Sequence, residues 1–239
     1  MLAVWPGLAE SLDWRVRRGS SVRLFSDRLV VQGRRPGMLD LSVCLLSGGG
    51  DPRRLGLLGP LAAACTSEGI RRDTGVVSWL HWPNLVTIDG RVVATTSITL
   101  ATPTPPDGKT QLTLRISVNC FGGTSGEFPP PLPSTSILDV LGVEIDLDLL
   151  RDKVLHALDW NHAEWERGMD RKLVDRMQPT VSWLGHHVQV RMANAKVLKG
   201  VAKGLDEHGS LVLEQIGGRG SRRNLSLTPD GVELVRPVD

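Results

Sequence analysis

The spacing of hydrophobic and polar positions predicts a sheet in the first part of the chain. Apolar runs that alternate in part with polar residues, as strands require, cover 21–31, 39–46, 75–81, 85–100 and 111–120. Asp89-Gly90 lies inside the fourth run, and this pair is a strong signal for a two-residue hairpin turn. We therefore expect the fourth run to fold back on itself at that point.

Two helices are predicted between and after these strands. The first is expected over about 52–69, with Asp51 as its N-cap and a kink at Pro60. The second is expected over about 146–166, because apolar residues recur there three or four positions apart. The Gly- and Pro-rich stretch 122–135 is expected to be a long loop, and loops of that length are often functional.

The pattern changes after Gln178-Pro179, where five short apolar runs follow one another with turns between them. Short strands at such close spacing predict a small antiparallel β-barrel of about 60 residues. We therefore divide the chain into a first domain at 1–179 and a barrel domain at 180–239. Because strands and helices of the first domain do not alternate strictly, we predict an α+β fold with a mixed sheet flanked by helices.

Composition and charge exclude several classes of function. The 239 residues carry 28 Lys and Arg against 26 Asp and Glu, and a net charge of +2 offers no bulk attraction to nucleic acid or to a membrane surface. No apolar run approaches the ~20 residues of a membrane-spanning helix. The N-terminus does not read as a secretory signal, so we expect a cytoplasmic protein. The three cysteines form no CxxC pair, which argues against a zinc site or a disulfide framework.

Three segments carry a resemblance to a known family. LHWPNLVTIDGRVVATT (80–96), LRISVN (114–119) and HHVQVRMANAKVLKGVAKGLDEHGSLVLE (186–214) occur in this order along the chain. They resemble the KWPND stretch with its following hairpin, the GIGLNVN strand and the C-terminal barrel of biotin protein ligases. The similarity is to the archaeal and bacterial class that lacks an N-terminal DNA-binding domain. Since the segments agree in order and spacing, the chain is identified as a divergent member of that family.

The resemblance implies a defined activity. Enzymes of this family join biotin and ATP, with magnesium, into biotinyl-adenylate, and then pass the biotinyl group to a lysine of a biotin carboxyl carrier domain. Homodimers are common in the class. Such chemistry needs a lysine that stabilises charge on the acyl and phosphoryl oxygens, and a basic Gly-rich loop that holds the phosphates. Water must also be excluded from the adenylate.

The chain departs from the family pattern at positions that carry this chemistry. The lysine of KWPND is His81 here, a shorter side chain that is mostly neutral at pH 7, and the aspartate is Leu85. The two glycines of GIGLN are Arg115 and Ser117, which either fill the space beside the backbone or re-aim the pocket toward an anion. In place of the long basic loop there is only QGRRPG (32–37).

If catalysis persists, the resemblance assigns roles to the remaining polar residues. His81 and Arg91 are expected near the acyl-phosphate as the catalytic groups, and Arg34 and Arg35 near the nucleotide phosphates. The ligand pocket is expected to be lined by Trp82, Asn84, Arg115, Ser117 and Asn119. No metal site is expected, since the adjacent histidines 186 and 187 would point to opposite faces of a strand.

Structural roles are the alternative for several of these residues. Trp82 with Pro83 would pack a strand end and set a turn, His81 would be a structural residue, and Arg34 with Arg35 would belong to a solvated turn.

Three hypotheses about function remain open from the sequence. A working but divergent biotin protein ligase is supported by the full-length architecture and the retained WPN triplet. A non-catalytic family member that binds a carrier protein, a partner subunit or another small ligand is supported by the coordinated loss of motif residues. The third hypothesis is one half of a two-part lipoate or octanoate transferase whose missing loop comes from a partner. The C-terminal barrel fits that third hypothesis less well.

Overall fold

The structure is a computed structural model that describes residues 21–25, 28–33, 35–47, 52–100, 110–122, 132–216 and 221–238. These residues form two antiparallel sheets and a layer of helices. In the ranges described, no helix is long and apolar enough to span a membrane.

The first sheet has seven strands in the order β1-β2-β3-β7-β6-β5-β4. The strands are β1 (Ser21–Phe25), β2 (Arg28–Gly33), β3 (Met38–Ser47), β4 (Trp79–His81), β5 (Leu85–Ile88), β6 (Arg91–Leu100) and β7 (Thr110–Asn119). Every neighbouring pair is antiparallel, and the parallel element is an isolated bridge between Val92 and Ser134. The sheet that we predicted as mixed is therefore antiparallel in all its named strand pairs.

The predicted hairpin turn at Asp89-Gly90 joins β5 to β6. Asp89 has a φ of 49° and Gly90 a φ of 72°, and a type I′ turn needs this left-handed conformation at both central positions. An asparagine or aspartate followed by glycine tolerates that conformation well, so the local sequence was sufficient to place the turn.

In the described residues, four α-helices accompany the first sheet. They are α1 (Leu58–Thr74), α2 (Ile137–Leu141), α3 (Leu147–Glu166) and α4 (Asp170–Met177). Helices α1 and α3 pack against each other and cover one face of the sheet, where apolar side chains such as Leu41, Leu114 and Ile116 are buried. Removal of this apolar surface from water is the main stabilising contribution to the domain.

The first predicted helix differs from the observed one at both ends. Pro52–Leu57 forms a 3-10 helix, and the α-helix then continues to Thr74 rather than ending near residue 69. Pro60 is the third residue of α1, directly after the 3-10 helix, and the predicted kink there stays a prediction. The predicted N-cap Asp51 lies outside the described residues.

The second predicted helix is confirmed as α3. The Asp146 side chain caps it by accepting hydrogen bonds from the backbone N–H groups of Asp148 and Leu149. Helix α4 was not predicted, although its buried residues Leu173 and Met177 are four positions apart, as one helical face requires. With only eight residues, α4 is too short for that spacing to stand out in the sequence.

The second sheet contains the five predicted C-terminal strands. They are β8 (His187–Met192), β9 (Val197–Leu205), β10 (Leu211–Ile216), β11 (Arg222–Leu227) and β12 (Val232–Pro237), in the order β11-β10-β9-β8-β12. All the pairs are antiparallel. Among the described residues no pairing joins the edge strands β11 and β12, so the strands form an open sheet instead of a closed barrel. The α+β class is confirmed, and the boundary near residue 180 stays a prediction.

Candidate functional site

The face of the first sheet that lies opposite the helices carries mostly polar side chains. Directly opposed residues of antiparallel strands share a face. Strands β3, β7 and β6 place two polar rows there, namely Asp40, Ser117 and Thr95, and then Ser42, Arg115 and Ser97. We call this surface the polar sheet face. It brings together Arg115 and Ser117, two residues that we predicted to bind ligand.

Arg35, predicted to contact phosphate, lies at this face and is held by its neighbours. Its guanidinium donates hydrogen bonds from Nε and Nη2 to the two carboxylate oxygens of Asp40. Nη2 also donates to Ser117 Oγ at 3.2 Å. A bidentate arginine–carboxylate pair fixes the guanidinium in place and balances its charge. Arg35 is therefore less available to a phosphate group than an unpaired arginine would be.

A small apolar cluster borders the polar residues. Met38, Leu85 and Val92 are buried together, and Leu132 packs against them. Leu85 is the register partner of Thr95, which places it on the polar sheet face. Since Leu85 stands where the family motif has aspartate, this position contributes apolar surface instead of a carboxylate. The cluster is buried, so it supports the sheet from below Leu132.

Arg115 is exposed in the middle of β7, with Ser42 and Ser97 as its register partners on the two neighbouring strands. The family resemblance places a glycine at this position. The arginine occupies space that a glycine would leave open, and it adds a positive charge to the polar sheet face. Together these features favour a ligand with an anionic group.

Asn119, predicted to line the pocket, is bonded to the backbone instead. Its Nδ2 donates to the carbonyl oxygen of Thr135 at 3.1 Å, and its Oδ1 accepts from the N–H of Gly122 at 3.2 Å. These bonds hold the two chain segments that meet where β7 ends. The same returning segment bonds to Val92, whose N–H donates to Pro133 and whose carbonyl accepts from Thr135. Asn119 therefore organises the end of the strand.

His81, predicted to be catalytic, is buried where the two sheets meet. Its Nε2 lies 2.7 Å from the carbonyl oxygen of Val235 in β12. Because a carbonyl can only accept, Nε2 carries the proton and donates. The Trp183 ring packs edge-on to the imidazole, with the centroids 6.0 Å apart. Burial lowers the pKa of His81 from its ordinary 6.5, so the ring is neutral at pH 7.

The next residues of the motif also make contacts within the protein. Trp82 is fully buried, and its Nε1 donates at 2.8 Å to the carbonyl oxygen of Gly209, in the turn between β9 and β10 of the second sheet. Asn84 Nδ2 donates to the carbonyl oxygen of Thr96 at 3.1 Å, which holds the β4–β5 turn against β6. His81 and Trp82 thus connect the two sheets. Asn84 supports the turn between strands β4 and β5 of the first sheet.

The structure does not bring the two predicted catalytic groups together. Arg91 is exposed at the start of β6, and no contact joins it to His81 in the part of the chain that is described. Arg34 lies outside the described residues. Within the described ranges, no group of three or more His, Cys, Asp or Glu side chains is arranged to hold a metal ion.

Two residues of the site were missed by sequence reasoning. Asp40 is the charged residue in the mostly apolar sequence of β3. A charged residue at such a position could have indicated a partner for Arg35. Trp183 contacts His81 from a position more than a hundred residues further along the chain, and nothing in the local sequence pointed to that contact.

The comparisons with known proteins agree with this architecture. The family model described as biotin protein ligase C terminal domain matches residues 184–230. No curated protein sequence matches the chain.

Solved structures share the fold over most of the chain. A mutant biotin protein ligase from Aquifex aeolicus in complex with biotin has a TM-score of 0.67 and 18% identity, over 87% of this chain and 80% of that one. The biotin protein ligase from Aquifex aeolicus in complex with biotin and ATP gives 0.66 and 19%, over 84% and 79%. A biotin protein ligase-like protein of unknown function from Silicibacter sp. gives 0.67 and 14%, over 98% and 94%.

The fold is therefore that of the biotin protein ligases, and the C-terminal segment is a biotin protein ligase C-terminal domain. These two findings agree with the resemblance to biotin protein ligases in the sequence: the solved structures share the fold, and the family model matches the C-terminal segment.

Proposed function

We propose that this chain binds a biotin-like ligand on its polar sheet face and that its capacity to form the adenylate is impaired or lost. The placement of His81 is the observation that carries the proposal. The family resemblance puts lysine at this position, and lysine is a permanent cation with a long reach. His81 is neutral, buried and bonded to Val235, so it has no positive charge to offer to an acyl-phosphate.

The expected loss of rate is large. Removal of one donor that stabilises charge in a transition state lowers the rate by ~10²–10³. Arg35 is the second group affected. Because its guanidinium is paired with the Asp40 carboxylate, it is less available to bind phosphates. We therefore expect turnover in an adenylation assay to be far below that of a ligase that keeps the motif lysine.

Ligand binding is supported by the composition of the polar sheet face. Arg115 offers an exposed cation in the middle of the sheet, between Ser42 and Ser97 on the neighbouring strands. A molecule with a carboxylate, such as biotin, can pair with this cation. Solved structures of the same fold are described in complex with biotin, and with biotin and ATP.

Magnesium, which the resemblance implies as the companion of ATP, is not matched by the residues present. Mg²⁺ prefers carboxylate and other oxygen ligands. The motif aspartate is Leu85, the Asp40 carboxylate is bonded to Arg35, and the described residues contain no grouped set of metal ligands. We therefore assign no step to a metal ion.

A working ligase is the second candidate function. The observation that favours it is Arg91, which is exposed and keeps a positive charge where the family has Lys or Arg. In that case the chain would use biotin and ATP and transfer the biotinyl group to a lysine of a biotin carboxyl carrier domain. A homodimer is a further expectation of the resemblance.

Isothermal titration calorimetry of the purified chain tests the proposal. Biotin is titrated alone and then with ATP and MgCl₂ present, and pyrophosphate release is measured in parallel. We expect saturable biotin binding that ATP does not strengthen, and no pyrophosphate above background. Arg115→Gln should weaken biotin binding about tenfold, because a hydrogen bond to a charged group is lost. Arg167→Gln, an exposed arginine far from β7 in sequence, is the matched control and should leave the affinity unchanged.

Two other results would change the conclusion. Biotin binding that ATP strengthens, together with pyrophosphate release, would establish the working ligase. An absence of heat in the biotin titration would contradict the proposed binding of biotin. The chain would then be tested for binding to protein partners.

A further inference from the structure

A second concave site lies in the helical layer, on elements that do not carry the polar sheet face. It is a cavity of about 840 Å³ between α1, α3, α4 and residues 77–79 at the start of β4. This volume is in the range of small-molecule pockets, ~300–1,000 Å³. None of the residues of the polar sheet face lines it. We call it the helical cavity.

Two tryptophans form walls of the helical cavity. Trp160 on α3 is 65% exposed and Trp79 on β4 is 37% exposed, and Val77, at 59%, extends the same surface. A group of large exposed apolar side chains marks a binding surface more often than single exposed residues do. Indole rings also offer a rigid, flat surface for an aromatic or acyl group.

The polar groups in the floor of the cavity are satisfied within the protein. The Ser67 and Ser78 hydroxyl oxygens lie 2.8 Å apart, and each hydroxyl also lies within bonding distance of the other residue's carbonyl oxygen. Asn161 Nδ2 donates to the carbonyl oxygen of Ala157 at 2.7 Å, and its Oδ1 accepts from Arg176 at 3.0 Å. The floor therefore demands no polar atoms from a ligand, and an apolar group can lie against it.

The mouth of the cavity carries uncompensated positive charge. Arg72 pairs with Glu68, and Arg176 pairs with Glu164. Arg71 also lines the cavity and is exposed, and among the described residues it makes no ion pair. The arrangement thus combines apolar walls with Arg71, a cation that forms no ion pair among the described residues, while Glu68 in the same lining pairs with Arg72.

We propose that the helical cavity binds a small amphipathic anion. Its aromatic or acyl body packs between Trp79 and Trp160, and its acidic group pairs with Arg71. This site is independent of the proposed function, because no motif residue and no residue of the polar sheet face takes part in it.

A pair of fluorescent probes with the same aromatic body tests this proposal. 1-Anilinonaphthalene-8-sulfonate carries a sulfonate, and N-phenyl-1-naphthylamine is its uncharged analogue. Each is titrated into the full chain, and energy transfer from tryptophan to the dye is recorded. We expect saturable binding of both dyes at one site, with the anionic dye bound more tightly, because only that dye can pair with Arg71.

Single substitutions locate the site and separate its two features. Arg71→Gln should weaken the anionic dye about tenfold and leave the neutral analogue unchanged, as expected for the loss of one charged hydrogen bond. Trp160→Ala should weaken both dyes, because it removes a wall. Arg167→Gln outside the cavity and Arg115→Gln on the polar sheet face should alter neither. Arg71 and Trp160 are exposed, so both variants should keep the wild-type circular dichroism and urea midpoint.

Each of three results would overturn the proposal. Equal affinity of the anionic dye for the wild type and Arg71→Gln would show that the charge is not recognised there. Equal affinity for the wild type and Trp160→Ala would place the dye elsewhere, and weakening by Arg115→Gln would place it on the polar sheet face. Since Trp160→Ala should leave biotin calorimetry unchanged, failure of this proposal is distinguishable from failure of the proposed function.

Discussion

His81 shows how one side chain can exchange a chemical role for a packing role. A lysine in its place would bring a charge against Val235 and Trp183, and a buried charge without a partner is costly. The imidazole avoids this cost because it is neutral, and its Nε2–H satisfies the Val235 carbonyl. The same residue that removes the motif cation therefore helps to close the contact between the two sheets.

We predict that acidification below pH 6.5 destabilises the chain through His81. Burial lowers the pKa of His81 in the folded state from 6.5, so between that lowered value and 6.5 the unfolded state binds more protons. The contribution of His81 to the free energy of unfolding is complete above pH 6.5. It falls as the pH drops and stops falling once the folded pKa is passed. His81→Gln should lose this part of the pH dependence.

Urea unfolding at pH 7.5, 6.5 and 5.5, followed by tryptophan fluorescence, measures this effect. His187→Gln, at an exposed position on β8, is the control and should keep the wild-type dependence on pH. The same pH dependence in the wild type and His81→Gln would contradict the prediction.

The crossing of α1 and α3 depends on the absence of a side chain at Gly69. A Cβ atom there would lie 2.5 Å from Val154 Cγ2 and 2.9 Å from the Val154 backbone nitrogen. A flexible side chain could move away, but the backbone of α3 could not move without disturbing the core beneath it. This close contact sets the distance between the two helices, and with it the width of the helical cavity.

Two glycines of α1 provide a matched pair of substitutions. Gly69→Ala should lower the free energy of unfolding by about 1–3 kcal/mol, the cost of overpacking a filled interior. Gly59→Ala should raise it by up to about 1 kcal/mol, since nothing lies within 4 Å of the added Cβ and alanine favours the helix. Urea unfolding curves of the two variants check this. A change of the same sign in both would contradict the proposed role of the close crossing.

Side-chain hydrogen bonds connect the two sheets. Trp82 Nε1 donates to Gly209, His81 donates to Val235, and the Gln178 side chain accepts from the N–H of Leu205 at 2.8 Å. Each bond joins a residue of the predicted first domain to the second sheet or to its β9–β10 turn. We therefore expect the two sheets to unfold together.

Trp82→Phe tests this coupling at the level of the whole chain. The ring stays apolar, but the Gly209 carbonyl loses its donor, which should lower the free energy of unfolding by about 1–2 kcal/mol. Hydrogen exchange should show reduced protection in α1 and β10 alike, because both depend on the same global opening. Reduced protection in β10 alone would mean that the second sheet unfolds separately.

The strands, the Asp89-Gly90 turn, helix α3 and the likeness to the biotin protein ligase fold could all be predicted from the sequence. The hydrophobic periods of strands and helices, the helix caps and the turns all depend on residues that are close in sequence. The order of motifs along the chain can also be read directly from the sequence. The contacts that decide the site are of another kind. His81 meets a residue 154 positions away, and Arg35 donates to Ser117, 82 positions away. No local pattern encodes such pairs, because burial and partners are created only when distant segments pack. Folding is what placed His81 against Val235 and left Arg115 exposed on the polar sheet face.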